Sequence, residues 1–371
     1  MKSIDVDFGE SRYTIYLDRG VIKSIAKLLL AKTKSKKVII VADSFFKDSI
    51  VKQVSSLLKD FEVHIHLMEA GKVNKNMHEA LKIYAVLEEN DLARDSTLIA
   101  IGGGVVGDLA GFVASTWYRG MNLVHIPTTL MAMVDSSVGG KVAINFRQTI
   151  NAIGNYYHPI FTLMDLELID SLPEREYYSG IAEVIKCAII SDKEFFEILE
   201  QNSQEILERK EQIVLEFIAR AIEIKIEHVR GDIREGNRRL LLNYGHTLGH
   251  AIEISTAKNN EEQYRHGEGV SLGIMAVAYI AQQHLNLDDS LYDRYKRVFT
   301  TYHLPTSVYA SKLGFRREEL IKRCLRNVLK DKKRIDNHLR VVLANKIGEA
   351  SVYSDVPFSL IEEAFRHIIK E

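Results

Sequence analysis

Along roughly its first 170 residues the chain alternates compact apolar runs with longer stretches in which apolar positions recur every three or four residues. KKVIIVAD at 36–43 and STLIAI at 96–101 are apolar at nearly every position. Runs of this length and β-branched content read as strands buried on both faces. FEVHIHLM at 61–68 alternates and reads as a strand with one wetter face. NLVHIP at 122–127 and FTLMD at 161–165 complete the series. Between them, 44–59 reads as a helix, and 76–90 sets Met77, Leu81, Tyr84 and Leu87 on one helical face. Another helix opens with GDLAGFVASTW at 107–117. Strands alternating with helices predict an α/β domain with a largely parallel sheet over 1–170.

After Pro173 the period lengthens to that of helices. Helices are predicted over 174–201, 203–229, 238–255 and 267–284, then near 317–330 and 359–369. LRVVLANKIGEASVY at 339–353 reads as a strand pair. A mainly α-helical second domain is therefore expected over 171–371, with no internal repeat, low-complexity tract or long linker.

Charge changes this picture little. Lys plus Arg number 49 and Asp plus Glu 50 in 371 residues, a formal net charge of -1. That excludes a broadly basic nucleic-acid surface and an acidic disordered chain. Cys187 and Cys324 are too few for a disulfide scaffold and fit a reducing, cytoplasmic setting. No apolar run is long enough to span a membrane, and MKSIDVDFGE lacks the apolar core of a secretion signal. Glycine changes the picture more. Of 22 glycines, eight fall between Gly102 and Gly140, where backbone must approach something closely or turn with positive φ.

GGGVVGD at 102–108 follows a strand and opens a helix. Such a turn presents backbone N–H groups and a positive helix end to phosphate, although a tight structural turn would use the same residues. IPTTLMAMVDSSVGGK at 126–141 packs Thr128, Thr129, Asp135, paired glycines and Lys141 into one segment. It reads either as a polar loop with a capped helix or as a ligand loop, with Lys141 as the charge and Asp135 on a hydroxyl. In GIAEVIKCAII, Glu183 and Lys186 share one face of an otherwise apolar helix. Burying both charges is costly unless they pair or bind something. In RRLLLNYGHTLGHAIE, the spacing of Arg239, Asn243, His246 and His250 predicts one polar stripe on a helix. Two histidines at i and i+4 can share a metal, divide metal binding and proton transfer, or simply sit satisfied in a core. With His266 of RHGEG, Glu183 and His246 would supply one oxygen and two nitrogen ligands, leaving a position open as in catalytic zinc. The same donors suit iron(II).

GGGVVGDLAGF, PTTLMAMVDSSVGGK, LPEREYYSGIAEVIK, REGNRRLLLNYGHTLGHAIE, HGE and DKK occur in this order and together resemble the 3-dehydroquinate synthases, a branch of the sugar-phosphate cyclases. The resemblance runs from about Gly71 to Lys333. It implies a Rossmann-like NAD-binding α/β domain, a helical metal- and substrate-binding domain, and an active site in the cleft between them. It also implies a bound NAD regenerated in each turnover, a divalent metal (usually zinc, with cobalt or iron as alternatives) and a homodimer. The implied metal ligands are Glu183, His246 and His266. NAD would meet Asp43, Gly71, Lys72 and Lys75, the turn of Gly103, Gly104, Val105, Val106, Gly107 and Asp108, then Thr128, Thr129, Lys141 and Ser171. A small anionic sugar phosphate would meet Asp135, Lys141, Asn151, Lys186 and Lys225, and beyond them Arg239, Asn243, His250 and Lys332. Of these, Lys186, His250, Asp135, Lys141 and Asn243 would take part in the chemistry. Arg119 would reach the substrate phosphate from the neighbouring subunit.

The implied reaction converts 3-deoxy-D-arabino-heptulosonate 7-phosphate to 3-dehydroquinate through transient oxidation, phosphate β-elimination, re-reduction and aldol closure. Related cyclases take sugar phosphates without a carboxylate. Lys225, Arg239 and Asn243, which the dehydroquinate enzymes turn toward that carboxylate, are all present, and an Arg fork suits one. Two positions depart from the family pattern. Gly-Glu-x-x-Lys is here Gly71-Lys72-Val73-Asn74-Lys75, and a lysine expected near NAD is Ile150. The expectation is that Lys72 or Arg147 supplies the missing charge. A divergent cyclase, a metal-dependent polyol dehydrogenase and a non-catalytic binding protein are the competing readings. The cluster of Lys141, Lys186, Lys225, Arg239 and Lys332 favours the cyclase.

Overall fold

The computed structural model describes every residue except 148, 259–260, 331–333 and 336–337. Its contacts divide the chain into two compact units, Met1–Pro173 with Lys225–Arg234, and Glu174–Ile224 with Glu235–Glu371. The boundary near 170 was expected from the change of period. The assignment of Lys225–Arg234 to the first unit was not, because nothing in the periodicity of 203–229 separates its end from its beginning.

The first unit begins with an antiparallel pair, β1 (Lys2–Asp7) and β2 (Arg12–Asp18), which the hydrophobic pattern did not suggest. α1 (Ile25–Lys32) leads into β3 (Lys37–Asp43), whose five central residues are buried. The stretch predicted as one helix over 44–59 is instead a 3-10 turn, Ser44–Phe46, a π-helical turn, Lys47–Val51, and a short α2 (Lys52–Leu57). Asp43 starts that change, its side chain accepting a hydrogen bond from the Phe45 N–H. β4 (Glu62–Met68), α3 (Met77–Glu89), β5 (Thr97–Gly102) and α4 (Gly104–Thr116) follow. Next come β6 (Asn122–Pro127), a hairpin of β7 (Lys141–Phe146) and β8 (Thr149–Tyr156), β9 (Phe161–Asp165) and a short α5 (Glu167–Asp170).

One sheet carries the unit in the order β1-β2-β9-β6-β5-β3-β4. From β2 to β4 all neighbours are parallel. β4 lies on one side of β3 and β5 on the other, so the order reverses at the β3–β5 seam. In open parallel sheets the crevice beyond the strand ends at such a reversal is where ligands bind. Asp43 ends β3, Gly102 ends β5 and Pro127 ends β6, so the motif-bearing loops leave this one edge.

The second unit is largely helical, as expected. α6 (Glu174–Ser191) and α7 (Lys193–Gln201) divide the predicted 174–201 helix, because the Asp192 side chain accepts from the Phe195 N–H and caps a new start. The predicted 203–229 helix divides into α8 (Ser203–Leu207) and α9 (Glu211–Val229). α10 (His246–Thr256), α11 (His266–Leu285) and an unforeseen α12 (Asp289–Thr301) follow. The rest comprises β10 (Val308–Tyr309), α13 (Arg317–Lys330), the pair β11 (Arg334–Ile335) and β12 (His338–Leu339), the expected hairpin of β13 (Val341–Lys346) and β14 (Glu349–Tyr353), α14 (Phe358–Ile368) and β15 (Ile369–Lys370).

α10 and α11 meet along glycines. A Cβ on Gly249 would stand 2.5 Å from the Gly269 carbonyl oxygen, and one on Gly273 1.9 Å from that of Gly245. Real Cβ atoms do not come that close, so only glycine permits this backbone approach. The seam brings the two histidine-bearing segments together.

Candidate active site

In the first unit, Gly103 caps the start of α4 in extended conformation and offers no side-chain cap. The first-turn N–H groups therefore face the sheet edge beside the β3–β5 seam, the arrangement that binds anionic phosphate. A Cβ on Gly102 would strike Val106 at 2.5 Å, while Gly103 packs against Thr129. Val106 is itself in the core, so only its backbone can face a ligand. Thr128 is buried, and its hydroxyl has no hydrogen-bond partner among the described residues. Lys75 pairs with Asp108 on α4 at 2.5 Å. Burial pushes the Asp108 carboxyl above the usual carboxylate range, and the Lys75 ammonium pulls it back. Gly71 turns with φ 108°, and the 72–75 turn is tied to the β7 end by Asn145, whose amide donates to the Lys72 carbonyl (3.1 Å). Lys72, Arg147 and Ile150 are all exposed around that tie. Ser171, expected near the cofactor, is exposed at the end of α5.

Asp135 lies in a π-helical turn, Ala132–Ser136, where the sequence left a polar loop with a capped helix and a ligand loop as alternatives. Its carboxylate pairs with Lys225, whose ammonium also donates to the Asp135 backbone carbonyl at 2.5 Å. Two residues predicted to meet substrate separately are thus brought together. Gly139 and Gly140 take φ 96° and 71°, and a Cβ on Gly140 would strike His158 at 2.5 Å. Lys141 follows as the exposed first residue of β7, not as a loop residue. Asn151 and Arg119 are exposed with left-handed backbone, φ 51° and 63°. Tyr118, beside Arg119, is left-handed as well. Two consecutive non-glycine residues in that region store strain of order 1 kcal/mol each, a cost that proteins tolerate at functional turns.

In the second unit, Glu183 and Lys186 lie one turn apart on α6 and pair directly, both with side chains at most 2% exposed. The predicted stripe through Arg239, Asn243, His246 and His250 is not one helix. Arg238–Asn243 is a 3-10 turn, Gly245 goes left-handed at φ 76°, and α10 restarts at His246. Packing forces the break, because a Cβ on Gly245 would collide with Ile274 and the Val270 carbonyl of α11. Arg239 is buried, and Asn243 donates to Glu235 at 2.6 Å. His246 and His250 remain one turn apart on α10.

His266 starts α11. The Gly267 N–H donates to the Ser179 hydroxyl of α6 at 3.0 Å, and a Cβ on Gly267 would overlap the Ser179 carbonyl. Ser179 stands one turn before Glu183, so this contact delivers His266 to the Glu183 carboxylate. Arg175 grips Glu268 through two hydrogen bonds of 2.7 Å and fixes the same helix start.

The Glu183 Oε1 is 3.4 Å from the His246 Nε2 and 3.6 Å from the His266 Nε2, and has no hydrogen-bond partner among the described residues. Ligands held tetrahedrally at the usual zinc distances stand about 3.4 Å apart. A buried carboxylate oxygen facing two imidazole nitrogens at that spacing fits a divalent metal. His246 Nδ1 lies 3.1 Å from the Tyr244 carbonyl, which leaves Nε2 as the ligand atom. One ring nitrogen from each of His246, His250 and His266 also lies within 4.8 Å of the others, so His250 borders the same point. Lys332 lies outside the described residues.

Residues 65–179 match the family designated 3-dehydroquinate synthase N-terminal, and residues 180–334 that designated 3-dehydroquinate synthase C-terminal. A 3-dehydroquinate synthase of Thermodesulfovibrio yellowstonii is 39% identical over 96% of this chain and 97% of its own. One from a Shewanella species is 37% identical over 98% of both chains. Among solved structures, a 2-deoxy-scyllo-inosose synthase complexed with carbaglucose-6-phosphate, NAD+ and Co2+ superposes with TM-score 0.88 at 24% identity, covering 99% of this chain and all of that one. The 2-epi-5-epi-valiolone synthase of Streptomyces hygroscopicus, with NAD+ and Zn2+, gives 0.84 at 25% identity over 98% of both chains. A probable glycerol dehydrogenase of Sinorhizobium meliloti shares the fold at TM-score 0.62 and 15% identity over 95% of both chains. Fold alone therefore does not separate cyclase from dehydrogenase; the sequence matches do.

Proposed function

The chain belongs to the 3-dehydroquinate synthase family, and from that membership we infer that it converts 3-deoxy-D-arabino-heptulosonate 7-phosphate to 3-dehydroquinate and phosphate. It is a phosphate-eliminating cyclase that works through transient oxidation, β-elimination, re-reduction and intramolecular aldol closure. When bound, NAD supplies a hydride acceptor restored within each turnover, and the divalent metal polarises the hydroxyl being oxidised.

In this reading Glu183, His246 and His266 hold the metal, and the observation that carries it is the bare Glu183 oxygen facing both imidazoles. The Lys186 ammonium, held on Glu183 in a buried setting, stabilises negative charge on a neighbouring substrate oxygen. A His250 ring nitrogen takes and returns a proton during the reaction. The α4 N-terminus at Gly103 and Gly104 receives the dinucleotide pyrophosphate, and Asp43, one strand away, accepts from a ribose hydroxyl. Lys75 holds Asp108 at that loop. Lys141, Asn151, Lys225, Arg239, Asn243 and Lys332 bind the anionic substrate, with Asp135 and Lys225 acting as a pair.

Arg119 serves the phosphate of a neighbouring subunit in a homodimer. Its strained, exposed turn and the outer strand β8, exposed along nearly its whole length, support that assignment. We place the enzyme in the cytoplasm. Among the described residues Cys187 and Cys324 form no disulfide, and no helix is long and apolar enough to cross a membrane.

Phosphate release measured in parallel with the heptulosonate phosphate, glucose 6-phosphate and sedoheptulose 7-phosphate, with products identified by mass, tests the substrate. Release from the first, forming 3-dehydroquinate without net NADH, is expected. Release only from one of the others would overturn the assignment.

A further inference from the structure

His266 is held from both sides of its ring. Its Nε2 faces the Glu183 Oε1 at 3.6 Å, and its Nδ1 faces the Glu253 Oε1 at 3.3 Å. Glu253 lies on α10 seven residues after His246, two turns along the same face. It is 9% exposed, and its Oε1 has no hydrogen-bond partner among the described residues, the His266 Nδ1 standing at ion-pair distance, 3.3 Å. A carboxylate buried this far is costly unless a positive or hydrogen-donating group meets it.

The space for this carboxylate is built into α11. A Cβ on Gly269, the residue three beyond His266, would stand 2.2 Å from the Glu253 Oε1 and 2.5 Å from its Cγ. The three atoms nearest such a Cβ all belong to the Glu253 side chain. Gly269 thus leaves the hole that Glu253 fills.

We infer that Glu253 is a positioning residue for the metal site: it accepts the Nδ1 proton of His266 and so fixes the tautomer that leaves Nε2 facing Glu183. A carboxylate on the far nitrogen of a ligating histidine locks ring orientation and raises the basicity of the ligand nitrogen. His246 receives the corresponding service from the Tyr244 carbonyl, a neutral acceptor, so the two imidazoles differ in donor strength. The inference rests on reading His266 as a ligand.

The test titrates metal-free protein with Zn2+ against a competing fluorescent chelator, for wild type, His266→Ala, Glu253→Ala, Glu253→Gln and Gly269→Ala. Glu253→Ala is expected to weaken zinc binding roughly ten- to a hundredfold, and Glu253→Gln, which keeps an acceptor, to recover most of that loss. Gly269→Ala, which only evicts the carboxylate, is expected to match Glu253→Ala, and the double variant to be no weaker than either. Gly269→Ala carries the test if Glu253→Ala fails to fold. The Co2+-substituted Glu253→Gln protein should show shifted visible absorption, as a ligand of altered basicity requires. Wild-type zinc affinity in Glu253→Ala, with affinity lost in His266→Ala, overturns this inference and leaves the ligand set standing. Wild-type affinity in His266→Ala overturns both.

Discussion

At the scale of single residues, the proposed chemistry depends on charges buried where water cannot screen them. Lys186 is the sharpest case, with its ammonium held on Glu183 inside an apolar helix. Lys186→Met keeps most of the volume and removes the charge. We expect kcat to fall about a hundred- to a thousandfold while zinc affinity, measured separately, is retained. A second buried group serves stability instead. His125 of β6 is 5% exposed, and burial pushes its imidazole down to about 4. In the unfolded chain it titrates near 6.5. The unfolded state therefore binds the extra proton between those values. Buried neutral, His125 costs the fold nothing in charge above about pH 6.5, and protonation of the unfolded chain erodes stability progressively toward pH 4. A shift of this size corresponds to about 3 kcal/mol. Wild type should lose about that much more stability than His125→Gln between pH 7 and pH 4, as read from denaturant midpoints. Parallel pH profiles for the two proteins would refute the assignment.

At the scale of elements, the 72–75 turn and the β7–β8 hairpin form one small unit through Asn145, and that unit carries both departures from the family pattern. An acid replaced by Lys72 and a lysine replaced by Ile150 sit on segments tied together, so the positive charge has a short path from one to the other. Lys72→Ala should weaken NAD binding by about one to two decades, and adding Ile150→Lys should restore it. Unchanged NAD affinity in both variants would show that neither residue handles the cofactor. The elements also show what the sequence could and could not disclose. Strands β3, β5, β6 and β9 were legible because burial on both faces leaves an unbroken apolar run. The pairing of Glu183 with Lys186 was legible because one helical turn separates them. The break at Gly245 was not, since it is imposed by α11 residues more than twenty positions away. The convergence of Glu183 with His246 and His266 likewise rests on long-range contacts, Gly267 against Ser179 and α10 against α11. Periodicity carries no trace of those; the donor types suggested the set, and the resemblance to known cyclases supported it, but neither could show that the three converge. Glu253 went unread for the same reason: beside His250 it looked like any helical acid.

At the scale of the whole molecule, a near-neutral chain of net charge -1 concentrates its cationic chemistry in a few segments. The assignment of Arg119 to a neighbouring subunit has a consequence that monomer chemistry lacks. Arg119→Ala and Lys186→Met should each be nearly inactive alone. If sites are shared, mixing and refolding the two should restore about a quarter of the activity, since half the dimers are hybrids with one intact site each. No recovery on mixing, with dimers present by sedimentation, would place Arg119 in its own subunit's site.

The ten residues Lys225–Arg234 belong to the first unit although more than fifty residues of the second precede them in the chain. A ribosome that has released Pro173 has therefore not yet delivered everything the first unit contains. Asp135 must wait for Lys225 before its carboxylate meets the ammonium that holds it. Maturation of the first unit is thus tied to synthesis of the second, and a fragment cut at the apparent boundary would carry the sheet without its last buried cation.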